Sequence, residues 1–248
     1  RLSASVSSQF VSALLIAAPL ADAPTEIVLE EDAPVSAPYI RLTISAMAAF
    51  GVAVETLAPN HFRVPVAPGG YTAPQTVLVE PDASSATYAL AMAAVTGTQV
   101  VVAGIGSGSL QGDAAFASVL ERMGCDVTLT RDATTVAGPR EAPLVAVDVD
   151  MGDMTDSFLT LAAVAAFARG ATVIRGVANA RVKECDRIAA CVAELRRCGV
   201  AAAETDDGVV VTGASLPVVP PRGVLAWMGE GGGGSRGGGG SGGGHHLP

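Results

Sequence analysis

A glycine placed just after a large residue, at the end of a helical stretch, recurs at a nearly fixed interval. The pairs are Phe50-Gly51, Met123-Gly124 and Cys198-Gly199, with the glycines 73 and 75 residues apart. The helical stretches leading to them cover 44–50, 116–123 and 188–198. Each is followed by a short strand (52–57, 125–130, 200–205) and then a second (61–66, 134–138, 208–213). Upstream lies an Ala- and Leu-rich helix, at 8–18, 84–95 and 156–169, starting 43, 40 and 43 residues before its glycine. An apolar strand follows each of these helices, at 26–29, 99–102 and 171–174, and leading strands precede them at 2–6, 76–79 and 144–149. A period of this kind marks copies of one supersecondary unit. The chain therefore reads as three βαβαββ units, an α/β fold with helices packed on mixed sheets and right-handed crossovers.

Pro68-Gly69-Gly70 and Pro74 punctuate a boundary after the first unit, with Glu80-Pro81-Asp82 beyond it. The pattern stops near 216. The remainder, 217–248, is Pro/Gly-rich, and its Gly/Ser stretch 231–244 is expected to be a flexible, disordered tail or linker; no function is attached to Trp227. The chain opens at Arg1 in what already reads as a strand, and is expected to be excised or incomplete.

Half of the 248 residues are apolar, so a sizeable core is available, while the net charge of −9 argues against non-specific nucleic-acid binding. An RNA-processing role is disfavoured further by an aromatic content of only 4%. Cys125, Cys185, Cys191 and Cys198 form no CxxC pair and have no histidine near them. They read as small core residues in a reducing compartment, not as a zinc site or disulfide framework. Of the histidines, His61, His245 and His246, two fall in the tail, which argues against a His-based triad. Apolar runs are broken by Pro19 or bounded by Asp156 and Arg169, too short for a membrane span, and no signal peptide is seen.

Polar residues cluster where helices begin. Val182, Cys185, Ile188, Val192 and Leu195 recur at helical spacing, which predicts one amphipathic helix capped by Asn179 and stopped by Gly199. Its first turns carry Arg181, Lys183 and Arg187, and each cation there costs roughly 0.3–1 kcal/mol against the helix dipole. Two compensations are open. A bound anion is held by the N–H groups and the cations, or Lys183 and Arg187 pair with Glu184 and Asp186 on a wet surface. Ser84, Ser85 and Thr155 read as ordinary caps. Ser7-Ser8-Gln9 offers two hydroxyls and an amide at one helix start, which suits a phosphate. Ser36, Pro38 and Tyr39 precede the next helix, as Ser109, Gln111 and Asp113 do in the second unit, and Tyr39 also fits as a core residue with a satisfied hydroxyl.

Four segments, Val6-Ser7-Ser8-Gln9-Phe10, Asp82-Ala83-Ser84-Ser85-Ala86, Ser109-Leu110-Gln111-Gly112-Asp113 and Arg181-Val182-Lys183-Glu184-Cys185-Asp186-Arg187, stand in an order and spacing that resemble 5-enolpyruvylshikimate-3-phosphate synthases (3-phosphoshikimate 1-carboxyvinyltransferases). The likeness runs from residue 2 to about 213. Residues 83–98 and 182–188 look most like the version embedded in the pentafunctional AROM polypeptide. The resemblance implies a two-domain fold of six βαβαββ units, about three of them here: 1–79 the last unit of the N-terminal domain, 80–216 two units of the C-terminal domain. It implies helix N-termini directed at a cleft. The implied reaction moves an enolpyruvyl group from phosphoenolpyruvate to the 5-hydroxyl of shikimate 3-phosphate, on the way to chorismate and the aromatic amino acids, without metal or organic cofactor. The implied partners are those two substrates, with no nucleic acid or membrane. Other domains of a multifunctional AROM polypeptide are admitted as neighbours, and the compartment is the cytoplasm, or a plastid if a leader has been lost.

By the same resemblance Ser7, Ser8 and Ser36 are ligands of the shikimate phosphate, with Gln9, Tyr39 and Asn179 shaping that site. Asp156 takes the proton from the 5-hydroxyl, Lys183 contacts both substrates and assists proton transfer, and Glu184 protonates the methylene carbon. Arg187, with Gln9, binds phosphoenolpyruvate. These residue types suit the chemistry, since addition to an enol ether needs an acid for carbon and a base for the hydroxyl. Arg41 stands where an acidic residue is expected, and Ala180 where some relatives carry an aromatic. The family's N-terminal Lys-Ser and Arg motif, Asn-Ala-Gly-Thr loop, Asp-His-Arg and final Lys-Thr have no counterpart in the sequence, so the isolated chain is expected to be inactive or crippled. A UDP-N-acetylglucosamine enolpyruvyl transferase, whose Cys-bearing loop is not seen, and a non-catalytic anion-binding fragment are the alternatives.

Overall fold

The computed structural model describes residues 1–5, 7–32, 34 and 36–214. The tail, with Trp227, His245 and His246, lies outside the described residues. The three expected copies are present and share one strand order. After α1 (Gln9–Ala17), β1 (Thr25–Val28), α2 (Ala37–Ala49), β2 (Glu55–Ala58) and β3 (His61–Val64) form a sheet ordered β1-β3-β2. The second copy follows α3 (Ala83–Thr96) with β4 (Gln99–Ala103), α4 (Phe116–Arg122), β5 (Asp126–Leu129) and β6 (Ala133–Ala137), ordered β4-β6-β5. In the third, β7 (Leu144–Val145), β8 (Asp148–Asp150) and α5 (Phe158–Ala165) lead to β9 (Ala168–Arg175), α6 (Arg187–Arg197), β10 (Ala201–Thr205) and β11 (Gly208–Ala214), with β11 between β9 and β10. β7 and β8 run parallel to β9, as a strand–helix–strand crossover requires.

The recurring glycine has a local cause. Gly51, Gly124 and Gly199 have φ of 85°, 101° and 79°, the left-handed region that side chains disfavour. Each donates its N–H three residues back, to Ala48, Glu121 or Arg196, at 3.0, 2.9 and 3.0 Å. The following residue reaches five back: Val52 to Met47, Cys125 to Leu120 and Val200 to Leu195, at 2.9, 3.0 and 2.9 Å. That double closure is the Schellman ending, which satisfies the last helical carbonyls and turns the chain into the next strand.

Two apolar cores result. One lies within residues 4–64 and buries Val11, Leu15, Ile40, Phe62 and Val64; the other lies within 90–211 around Phe116, Leu120, Phe158, Leu161 and Ile174. α5 is buried on nearly every side and packs on α3, α6, β9 and β11, which explains its almost wholly apolar sequence.

Several expectations are corrected. The leading strand at 76–79 is irregular, and Leu78 is 95% exposed; Pro74 and Pro81 bracket it, and no described strand pairs with it. For that at 2–6, Val6 lies outside the described residues, and residues 2–5 show a parallel bridge, Leu2 with Leu29, but no longer run of strand. The strand expected at 144–149 divides into β7 and β8. The helix expected over 156–169 is shorter, because β9 begins at Ala168. Pro38 and Tyr39 lie inside the first turn of α2, where proline's missing N–H costs nothing. The long helix from Asn179 is replaced by a 3₁₀ turn, Ala178–Val182, a break, and then α6. Asp186, not Asn179, is the N-cap, accepting from the Ala189 N–H at 3.0 Å. Cys185 and Cys198 are exposed, and only Cys125 is fully in the core, with Cys191 partly so.

At Gly199 an added Cβ would meet nothing within 4 Å, so the cost of a side chain there is purely conformational. Gly199→Ala is expected to lower stability by about 1–2 kcal/mol and Gly199→Asn by less. Urea unfolding measures both; an alanine variant as stable as the parent would contradict the Schellman assignment.

Candidate active site

Residues from four segments line one open cavity of about 680 Å³: Ser7–Phe10 and Ser12 at the start of α1, Ser36 and Tyr39 at the start of α2, Thr155 and Asp156 before α5, and Asn179 with Lys183, Glu184 and Arg187 around the break before α6. Every site residue expected from the sequence is among them. The spacing of the copies thus places matching helix starts around one cleft.

The α1 and α2 starts are only partly filled. Ser8, the N-cap of α1, and Ser36, the N-cap of α2, both lack a side-chain capping bond, although the Tyr39 N–H in α2 donates to the Ser36 carbonyl at 3.1 Å. Both serines are buried. Ser7 Oγ accepts from the Gln9 N–H at 3.2 Å. Ser36 alone among the described non-glycine residues has a positive φ, 55°, and its hydroxyl stands 3.5 Å from that of Thr155. A residue held there is strained, and such strain collects at functional sites. Asn179 presents a buried side-chain oxygen without a hydrogen-bond partner.

Asp156 is the electrostatic centre. Its carboxylate accepts from Lys183 Nζ at 2.6 Å, the Tyr39 hydroxyl at 3.1 Å and Arg187 Nη1 at 3.2 Å. Burial pushes its pKa up, but the Lys183 ammonium, the Tyr39 hydroxyl and the Arg187 guanidinium outweigh it and hold the group below the usual aspartate range. Burial and two adjacent carboxylates raise the Tyr39 phenol. Glu184 is 76% exposed and accepts from Arg187 Nε at 3.0 Å; its own backbone N–H and then Arg187 lower its pKa. Of the two compensations open in the sequence, the Arg187–Glu184 pair belongs to the wet-surface one. Lys183 instead crosses to Asp156, and Asp186 is taken by Arg181 at 2.9 Å. Such a carboxylate is deprotonated, as a base must be, but it gains proton affinity only when Lys183 and Arg187 turn to another anion, while helix starts ringed by hydroxyls suit an anion.

Thr155 is not a cap: it is buried on the cavity wall, and Ser157 occupies the N-cap position of α5. Ser84 and Ser85 do belong to capping, though both donate to Asp82, which is the cap itself, at 2.7 and 2.6 Å. Ser12 and Thr43, whose hydroxyls meet at 2.8 Å on the cavity wall, were not foreseen. Their signal was available, since each sits four residues after a site residue, Ser8 and Tyr39, on the same helix face. Among the described residues no cluster of His, Cys, Asp or Glu is placed to hold a metal, and no helix is long and apolar enough to cross a membrane.

Because Asp156 has a depressed folded pKa, its contribution to stability is present above the unfolded value of about 3.9 and is lost as pH falls through the folded value. Carbon-13 NMR of the Asp156 carboxyl should show a midpoint below that of an ordinary aspartate. Lys183→Met should raise the midpoint; an unchanged midpoint would mean the ion pair is absent in solution.

The EPSP synthase (3-phosphoshikimate 1-carboxyvinyltransferase) family model matches residues 1–220. The pentafunctional AROM polypeptide of Yarrowia lipolytica is 50% identical over 215 residues, and AROM polypeptide 2 of Lodderomyces elongisporus is 48% identical over 217. These matches cover 86% and 87% of this chain but only 14% of either polypeptide. The EPSP synthase structure from Acinetobacter baumannii superposes with a TM-score of 0.68 at 26% identity, covering 87% of this chain and 49% of that one. The enolpyruvyl transferase NikO from Streptomyces tendae shares the fold, with a TM-score of 0.64 at 24% identity. With a family model spanning all the described residues and half-identical relatives, this chain belongs to the EPSP synthase family.

Proposed function

We propose that the cleft binds shikimate 3-phosphate and serves transfer of an enolpyruvyl group to its 5-hydroxyl from phosphoenolpyruvate. The observation that carries this reading is the meeting of two helix starts whose N-cap serines make no capping bond with an ionised carboxylate–lysine pair on one cavity wall. Ser7, Ser8 and Ser36 hold the sugar phosphate, and Gln9, Tyr39 and Asn179 shape its surroundings. The buried oxygen of Asn179 acquires a hydroxyl donor when the sugar enters. Asp156 takes the 5-hydroxyl proton as the oxygen adds to the enol carbon. Lys183, already 2.6 Å from Asp156, contacts both substrates.

Glu184 delivers a proton to the methylene carbon. In the unliganded protein Arg187 keeps it ionised. Transfer of Arg187 to the anionic groups of phosphoenolpyruvate, with Gln9, releases Glu184 to carry that proton. In the elimination Glu184 takes a methyl proton back, the departing phosphate takes the proton held by Asp156, and the carbon–carbon double bond re-forms as the enol ether of the product.

In this reading residues 1–79 are the last unit of the family's N-terminal domain and 80–216 two units of its C-terminal domain. The protein works in the cytoplasm, alongside other domains of an AROM-type polypeptide.

Calorimetry with shikimate 3-phosphate tests the binding half directly. The chain should bind, and Ser8→Ala should weaken binding by about tenfold, the worth of one hydrogen bond to a charged group. Equal affinity in Ser8→Ala and Ser7→Ala would remove the phosphate from this helix start.

A further inference from the structure

Asp113 is a buried carboxylate, 3% exposed, that the proposed chemistry does not use. It sits in the 3₁₀ turn Gly112–Ala115 of the second copy, yet its partners belong to the other two. Ser157, the N-cap residue of α5, donates its hydroxyl to one carboxylate oxygen of Asp113; the Tyr39 hydroxyl from α2 stands 3.4 Å from the other. That same Tyr39 hydroxyl is 3.1 Å from Asp156, which is bonded in sequence to Ser157. The neighbouring Gly112 explains how the turn comes so close. A Cβ there would lie 1.8 Å from the Asp153 carbonyl oxygen, in the loop that carries Thr155 and Asp156.

We infer that Asp113 is a positioning residue: by tying Ser157 to Tyr39 across the three copies, it holds Asp156 where Lys183 and the 5-hydroxyl can reach it. This rests on the role given to Asp156 above. Tyr39 has one hydroxyl proton and two carboxylates to serve. With Asp113 removed that proton is free for Asp156 and would lower its midpoint, so an upward shift can come only from Asp156 losing Lys183 and Arg187. Lys183 and Arg187 complete the charged surroundings of Asp156, with Glu184 paired to Arg187 and also felt by Lys183. Burial raises the Asp113 pKa, while burial at Asp156 is outweighed by Lys183, Tyr39 and Arg187, which hold it low. Losing the Asp113 charge would lower the Asp156 midpoint, so an upward shift on substitution reports geometry, not lost charge repulsion.

The test uses the 248-residue chain with Asp113→Ala, Asp113→Asn and Ser157→Ala, following the Asp156 carboxyl by carbon-13 NMR and shikimate 3-phosphate binding by calorimetry. Asp113→Ala and Ser157→Ala should each move the Asp156 midpoint up toward the ordinary aspartate value and weaken binding by about tenfold. Asp113→Asn, which still accepts from Ser157, should stay close to the parent. Unchanged midpoint and affinity in folded Asp113→Ala and Ser157→Ala would overturn the inference, as would an asparagine variant that behaves like the alanine one. Should Asp113→Ala fail to fold, Ser157→Ala gives the same two readings. If the parent chain does not bind shikimate 3-phosphate, the functional reading falls, and the midpoints alone decide whether Asp113 positions Asp156.

Discussion

The carboxylate of Asp156 is where separate parts of the chain meet, and the cleft depends on its being held ionised. An aspartate half-withdrawn from water is unfavourable unless its charge is answered. Here the answer comes from distant segments: Lys183 and Arg187 from the break before α6, and Tyr39 from the first turn of α2. Tyr39 sits on α2, anchored in one core, and Arg187 opens α6, anchored in the other, with Lys183 in the break just before it. The carboxylate therefore fastens the polar ends of both core-bearing parts together while their apolar ends remain separate.

Repetition supplies the rest of the geometry. Each copy threads its last three strands in the same order, and each second helix ends in the same glycine-dependent turn. Copies built alike present their helix starts alike. What differs is what stands at each start. In the second copy Asp82 fills the first turn of α3 with its own carboxylate. In the first copy the N-cap serines of α1 and α2 make no such bond. One scaffold thus yields a self-satisfied end where only structure is needed and an open one beside the cavity.

The repeat, the two helices per copy and the closing glycine were legible in the sequence, because each follows from short-range rules of periodicity and helix termination. The residues that meet on the cavity were legible through their family likeness and their position at helix starts. The break before α6 was not. Val182 and Cys185 fit the helical period, but Val182 is 67% exposed. What interrupts the helix is Arg181, which donates to Glu204 and to the carbonyls of Thr205 and Asp206, more than twenty residues away. Asp186 caps α6 from the same cluster. Side-chain pairs formed across the fold leave no local period to read. The partners of Asp113 were illegible for the same reason: its sequence neighbours suggest a helix start, whereas it meets Tyr39 and Ser157.

The most direct test of a shared anion cleft is an amide nitrogen–proton NMR map of the chain during addition of shikimate 3-phosphate. The account predicts that the N–H signals at Ser8–Phe10, at the first turn of α2 and around Asn179 and Lys183 move together along one saturation curve. Movement confined to a single helix start, or signals that move with different affinities, would contradict it.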